Sequence, residues 1–256
     1  MSLFNKIMSI FNNKTASVRS LMNQTNDFSF IESIARHKPS SSAELIASAV
    51  GIACIQQNRL GEIIGDANWQ LDVDRQLLII GNHKFTAGLI GTESHVSNTW
   101  RFGTVNSDSY PATFTEDILL FNQKSNFASF IDFNSKDIVL DELINGHNLS
   151  ALVSAFFDRD CYYKTPYDNG AAYILIKSPP TQIFDSANCD EIVQAIKYVI
   201  QTYEGNHRVM VAPLIEKFSK HAEFSESAIR FTANDMTLDI KFDDQLRIDE
   251  ISSTQS

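Results

Sequence analysis

The stretch from Trp69 to Val105, WQLDVDRQLLIIGNHKFTAGLIGTESHVSNTWRFGTV, constrains the fold more than any other part of the chain. Its apolar runs are too short for helices and are separated by Gly, Asn and Asp. Runs of that length bounded by turn residues predict an antiparallel meander. Trp69, Leu71 and Val73 alternate with Gln70, Asp72 and Asp74, the period-two pattern of a half-buried strand. Leu77 to Ile80 is continuously apolar and predicts a strand buried on both faces. Phe85 to Ile90 and Thr99 to Val105 supply two more, with Trp69 and Trp100 as anchors. A sheet with an apolar face must be covered, so the flanking segments should supply helices.

They carry the signals to do so. Ser41-x-x-Glu44 is a capping-box pattern, and Leu45, Ala49, Ile52, Leu60 and Ile63 continue on one helical face. This predicts a helix over 42–64, capped by Gly65, with Gly51 allowing a neighbour close approach. Phe114, Ile118, Leu120 and Phe121 predict a shorter helix. Asp141 to Phe157 predicts another. Tyr162 to Ile176 reads as a hairpin turning at Asp168-Asn169-Gly170. After Pro179-Pro180, Asn188-x-x-Glu191 starts a second capped helix that ends near Gly205. Pro213 fits the first turn of a short helix with Leu214, Ile215 and Phe218. Three strands, 228–231, 236–242 and 246–251, close the chain. The expected class is α+β: a meander-type antiparallel sheet covered by helices. Gln70–Asp74 faintly echoes Thr237–Lys241, which two similar lobes sharing one sheet would explain, as would chance. Residues 1–40 read as a partly helical extension, with Leu3, Phe4, Ile7, Met8, Ile10 and Phe11 near helical spacing and a polar 12–27. Residues 41–256 then form one α+β domain, with sub-lobes 41–178 and 179–256 as the alternative division.

Charge narrows the partners. Lys and Arg total 21 against 31 Asp and Glu, a formal net charge of −10. Such a surface repels phosphate backbones and anionic lipids, so nucleic acid is not an expected partner. No apolar run reaches the roughly 20 residues needed to span a bilayer, and the N-terminus lacks the pattern of a secretory signal. Cys54, Cys161 and Cys189 are odd in number and far apart, which points to a reducing cytoplasm rather than a disulfide framework.

Chemistry-bearing motifs are sparse. There is no glycine-rich phosphate loop and no G-x-S-x-G elbow. The six histidines show no metal-ligand spacing, so neither a metal nor a cofactor is expected. Glu93-Ser94-His95 brings three catalytic residue types together, but sequence neighbours seldom face one another, and a turn is the simpler explanation. Tyr162, Tyr163 and Tyr167 flank Pro166 on the hairpin, with Trp100 on the earlier sheet. Clustered Tyr and Trp suit either a recognition surface or a core with hydroxyls at its rim.

Three motifs together carry a resemblance: Trp69-x-Leu71-Asp72-x-Asp74, Leu89-Ile90-Gly91-Thr92-Glu93-Ser94 followed by Trp100, and Tyr162-Tyr163-x-x-Pro166-Tyr167-x-x-Gly170-Ala171. With them the chain resembles a set of bacterial proteins classed only as a domain of unknown function. The tail, Ile240-x-Phe242-Asp243-x-x-x-Arg247, resembles theirs too, and the likeness extends over about Ala43 to Ile251. Where members usually repeat Trp and Asn after the central Trp, this chain has Arg101-Phe102-Gly103. The resemblance implies a bacterial cytosolic α+β protein and no particular activity.

Two functions follow as expectations. One is a non-enzymatic binding protein, in the form of an immunity or accessory protein that neutralises a basic toxin; complementary charge would speed and orient that encounter. The other is an enzyme or small-molecule binder with a site near Glu93, Trp100 and Tyr163. The binding candidates common to both are Glu93, Trp100, Tyr162, Tyr163 and Tyr167.

Overall fold

The computed structural model describes residues 29–255 except Asn134, Lys220 and Asp235, with backbone alone at 106–108. The spacing at Leu3 to Phe11 and the polar stretch 12–27 therefore lie outside the described residues. The first helix, α1 (Phe30–His37), buries Phe30 completely. Its last turn reaches Glu216, Arg36 at 2.9 Å and His37 at 3.0 Å. Burial opposes charge on Glu216, but hydrogen bonds from His37 and Arg36 outweigh it and pull the pKa down to about 2.

Helix α2 (Ser42–Ile64) forms where its spacing predicts, and Gly65 caps it at φ 55°. Ser41 Oγ accepts the Glu44 N–H at 3.2 Å. The reciprocal bond of a capping box is absent. Glu44 instead accepts from the N–H groups of Ser40 (2.6 Å) and Asn206 (2.9 Å), so the carboxylate ties the helix start to a distant loop. Around α2 pack α4 (Gly146–Phe156), α5 (Cys189–Thr202) and α6 (His207–Phe218); α3 (Glu116–Lys124) lies beside the sheet. The capping box of Asn188 and Glu191 is complete at the start of α5. Gly51 does bring a neighbour close: a Cβ there would sit 3.3 Å from Val199 and 3.5 Å from Leu214.

Pro213 departs from expectation. It sits inside α6, which starts at His207 with Asn206 as its cap. A proline in a helix interior strands the carbonyl four residues earlier, here Val209. The buried Ser48 of α2 shares its hydroxyl proton between the Glu44 carbonyl of its own helix, at 2.8 Å, and that carbonyl, at 3.2 Å. A tertiary contact thus replaces the missing helical bond and lets the helix continue.

The meander contributes four strands, and the 161–177 hairpin and a short strand at 138–139 contribute three more, to a seven-stranded antiparallel sheet around β3 (His83–Ser94). On one side β2 (Leu77–Ile80) pairs with the first part of β3 and β4 (Thr99–Phe102) with the last. Beyond them lie β1 (Trp69–Asp72) and β5 (Ile138–Val139). On the other side β7 (Gly170–Lys177) runs along β3, past a bulge between Leu89 and Gly91, with β6 (Cys161–Tyr167) outside it. Side chains of β7 alternate between two cores. Tyr173 and Leu175 join the large core shared with α1, α2, α4, α5 and α6, whereas Ile174 and Ile176 join a smaller one with Leu60, Phe85 and Ile183.

The class is α+β, as the pattern of strands and helices implies. Three details differ. The C-terminal strands β8 (His221–Phe224), β9 (Ala228–Ala233), β10 (Met236–Phe242) and β11 (Ile248–Gln255) form their own sheet, so no continuous sheet is shared between lobes. The echoing segments sit in β1 and β10, one in each sheet. In β2 only Leu78 and Ile80 are fully buried, because a single face meets the core. Trp100 is wholly buried, but Trp69 keeps 37% of its surface exposed on an edge strand and anchors little. No helix among the described residues is long and apolar enough to cross a membrane.

The Ser48–Val209 bond makes a testable claim about α6. Ser48→Ala should destabilise the fold by about 1–3 kcal/mol, the usual cost of an unsatisfied buried carbonyl. In a Pro213→Ala background, where residue 213 regains its N–H, the same change should cost clearly less. Urea unfolding of the four proteins of this double-mutant cycle measures the difference.

Candidate functional site

The five residues marked by the sequence separate across the sheet. Tyr162 pairs with Leu175 and faces the large core; Tyr163 pairs with Ile174 and faces the smaller one. Trp100 is opposite Glu93 in register and is sealed against Phe102 (5.6 Å) and Tyr173 (5.4 Å). Tyr167 stands half exposed at the hairpin tip and donates its hydroxyl to the Glu93 carbonyl at 3.2 Å. Glu93, Trp100 and Tyr162 therefore belong to one face, and Tyr163 does not share a site with them. A pocket walled by Trp100 and Tyr163 with Glu93 between them does not form, because adjacent strand residues point to opposite faces.

Glu93 is a junction. One carboxylate oxygen accepts the Gly146 N–H (3.1 Å) and the Tyr173 hydroxyl (3.2 Å); the other meets His95 Nε2 at 2.9 Å. Burial alone would raise its pKa. The bonds from His95 and Gly146, the nearby Lys164 and the Tyr173 hydroxyl together outweigh that and hold the carboxyl below its ordinary value. Gly146 opens α4, where an anion meets the positive end of the helix. It has to be small, since a Cβ there would lie 2.3 Å from the Tyr173 ring. Glu93 thus pins the start of α4 onto the sheet.

The next residue of α4 is His147. Its ring stands edge-on to Tyr173 with centroids 5.3 Å apart, and its Nδ1 lies 3.3 Å from the Tyr162 hydroxyl. Desolvation by these rings, then the charge of Lys164, lower its pKa, so the neutral imidazole dominates at pH 7. His147 and Tyr162 line a cavity of about 780 Å³ between α2, α4 and α5. Val50 and Ala53 of α2, Ala151 of α4 and Ala195 of α5 form its apolar wall, and Cys54, Asn148, Gln194 and Tyr198 add polar groups. Gln57 donates to the Tyr162 carbonyl at 2.9 Å, and the Tyr203 hydroxyl donates to Asn148 at 2.8 Å, which fixes two sides. No local spacing marks His147, Cys54 or Tyr198 as neighbours. Only Tyr162 of this set lies in a motif visible in the sequence.

The chemistry available here is limited. Burial pushes the Cys54 thiol up to about 11, so it stays protonated and is a poor nucleophile. All three cysteines are free thiols. No cluster of His, Cys, Asp and Glu among the described residues could hold a metal ion.

A second cleft, of about 870 Å³, lies between the turn at 178–186, α6 and β8. Asp158 lines it and accepts the Phe30 N–H at 3.3 Å; Asp160, two residues on, accepts the Ser178 N–H at 3.2 Å. Burial, only partly offset by these bonds and by Lys217 and Lys177, raises both carboxyls to about 7.

Comparison with known proteins places residues 43–179 in a family of unknown function, DUF6882. That is more than half of the 256 residues. The chain belongs to this family. The match runs from the start of α2 to just past β7, so it takes in the whole seven-stranded sheet, the Glu93 junction and the α2 and α4 walls of the cavity. Helix α5, the third wall, lies beyond it, as does the Ile240–Arg247 motif. No curated protein and no solved structure matches the chain.

The raised carboxyls fix the sign of a pH effect. From about pH 4 to 7 the folded state keeps protons on Asp158 and Asp160 that the unfolded chain releases, so their stabilising contribution is lost as pH rises through that window. Asp160→Asn keeps the acceptor for Ser178 and removes the buried charge. Urea titrations should show the variant more stable than the parent by at least about 1 kcal/mol near pH 8, and little different near pH 4.

Proposed function

We propose that this is a binding protein rather than a catalyst, and that its ligand is a small organic molecule held between α2, α4 and α5. One observation carries this: the cavity of about 780 Å³ combines an apolar wall with a few convergent polar groups. That is the size and character of small-ligand sites, which run from roughly 300 to 1,000 Å³. The protonated Cys54 thiol favours binding over nucleophilic catalysis. Three free thiols are in keeping with a reducing, cytoplasmic setting.

A protein partner is the second reading, and a specific surface favours it. Three turns meet at one end of the large sheet, joined by His95 N–H to the Asn169 carbonyl (2.9 Å) and Leu140 N–H to the Asn98 carbonyl (2.9 Å). Val96, Val139 and Tyr167 stand there 79%, 69% and 50% exposed. Exposed Asp141, Glu142 and Asp168 border them, and the chain carries −10 overall, so a basic partner such as a toxin is the complementary form.

Nile red, a neutral apolar dye, tests the cavity. It should bind at one equivalent with a blue-shifted emission. Gln194→Trp, which plugs the exposed mouth without touching the core, should abolish the signal, and Val96→Lys should leave it unchanged. Equal dye binding by the Gln194→Trp variant would remove the basis for the small-ligand reading.

A further inference from the structure

The lining of the cavity also indicates which charge its ligand carries. Helix α5 presents Asp190, Gln194 and Tyr198 to it, spaced four residues apart and so stacked on one helical face. Glu191, beside them, is already engaged: Arg59 holds it at 2.8 and 3.0 Å, and it accepts the Asn188 N–H at 2.9 Å. The exposed carboxylate of Asp190 has no ion-pair or hydrogen-bond partner among the described residues. No Lys or Arg lines the cavity: Arg59 at its edge is paired with Glu191, Lys164 lies near His147 without lining the space, and His147 is held neutral. The positive end of α5 is already capped by Asn188 and Glu191, so it offers little to an anion. What remains is one unpaired negative charge at the mouth, two tyrosine side chains, and an inner wall of small aliphatic side chains.

We propose that the cavity selects organic ammonium compounds, with an aryl body against Tyr198 and the aliphatic wall and the cationic end at Asp190. This rests on the small-ligand reading of the same cavity. Asp190 and Tyr198 are two helical turns apart, about 12 Å along the axis. A bicyclic arylethylamine spans that distance once the side chains reach inward. Asp190 is solvated, so the charge selection is moderate and weakens with salt.

Three probes of one shape test the proposal by calorimetry on the full chain: tryptamine, its neutral isostere tryptophol, and the anion indole-3-propionate. At low salt tryptamine should bind about tenfold more tightly than tryptophol, with indole-3-propionate weakest, and the gap should narrow as salt is raised. Asp190→Asn should erase the preference for the amine over tryptophol. Tyr198→Ala should weaken amine and alcohol by a similar factor. Equal or tighter binding of tryptophol or the anion by the parent chain would overturn ammonium selection while leaving the cavity a small-molecule site. If Nile red binds and none of the three probes does, ammonium selection is again overturned; if Nile red fails as well, the small-ligand reading falls with it.

Discussion

The structure depends on the burial of α2 on nearly every side through its first half. A helix in that position has no solvent face on which to place errors, so each element that touches it must supply a matching surface. At Gly51 the missing side chain admits Val199 of α5 and Leu214 of α6. At Ser48 a hydroxyl completes the carbonyl that Pro213 strands in α6. At Glu44 a carboxylate accepts the backbone of the α5–α6 connection at Asn206. Toward the other end, Arg59 bonds the carbonyls of Ile183 (3.2 Å) and Asp185 (2.7 Å) as well as Glu191, fixing the turn that leads into α5. Helices α5 and α6 are thus positioned by polar atoms of α2, and apolar packing fills the space between.

The cavity is a consequence of the same arrangement. Helices α2, α4 and α5 face one another through Ala53, Ala151 and Ala195, side chains too short to close the gap. A dry void of this size would be very costly, since each Å³ of empty core costs about 24 cal/mol. Opening the space to solvent relieves that cost and leaves a wetted apolar wall, which favours any ligand able to displace its water. The position of α4 comes from the sheet: Glu93 bonds the first amide of the helix and the Tyr173 hydroxyl beneath it. Glu93 is therefore a positioning residue, acting on the cavity by holding α4 and His147 in place.

The family match and the cavity divide the chain differently. The matched residues 43–179 contain the sheet, α2 and α4, whereas the Asp190, Gln194 and Tyr198 stripe lies on α5 beyond them. In the proposed reading, the side chains that select the ligand sit on the wall outside the match, and the frame that builds the space sits within it.

Taken alone, the sequence determined what local rules can determine. Turn residues between short apolar runs gave the meander, because strand and hairpin patterns are written over fewer than ten residues. The cap signals at Ser41 and Asn188 located α2 and α5, since a cap is satisfied within its own first turn. Glu93, Trp100 and Tyr162 were visible as unusual residues, though not as members of one face. Only the tertiary structure decided the rest. It placed Pro213 inside a helix because Ser48, far away in sequence, supplies the missing bond. It set the C-terminal strands in their own sheet, because each pairs with its neighbour in the chain and no local pattern says whether such a run joins a sheet formed elsewhere. It brought Tyr162, His147, Cys54 and Tyr198 around one space, since a cavity is formed by the relative placement of helices, which no spacing within a single helix records.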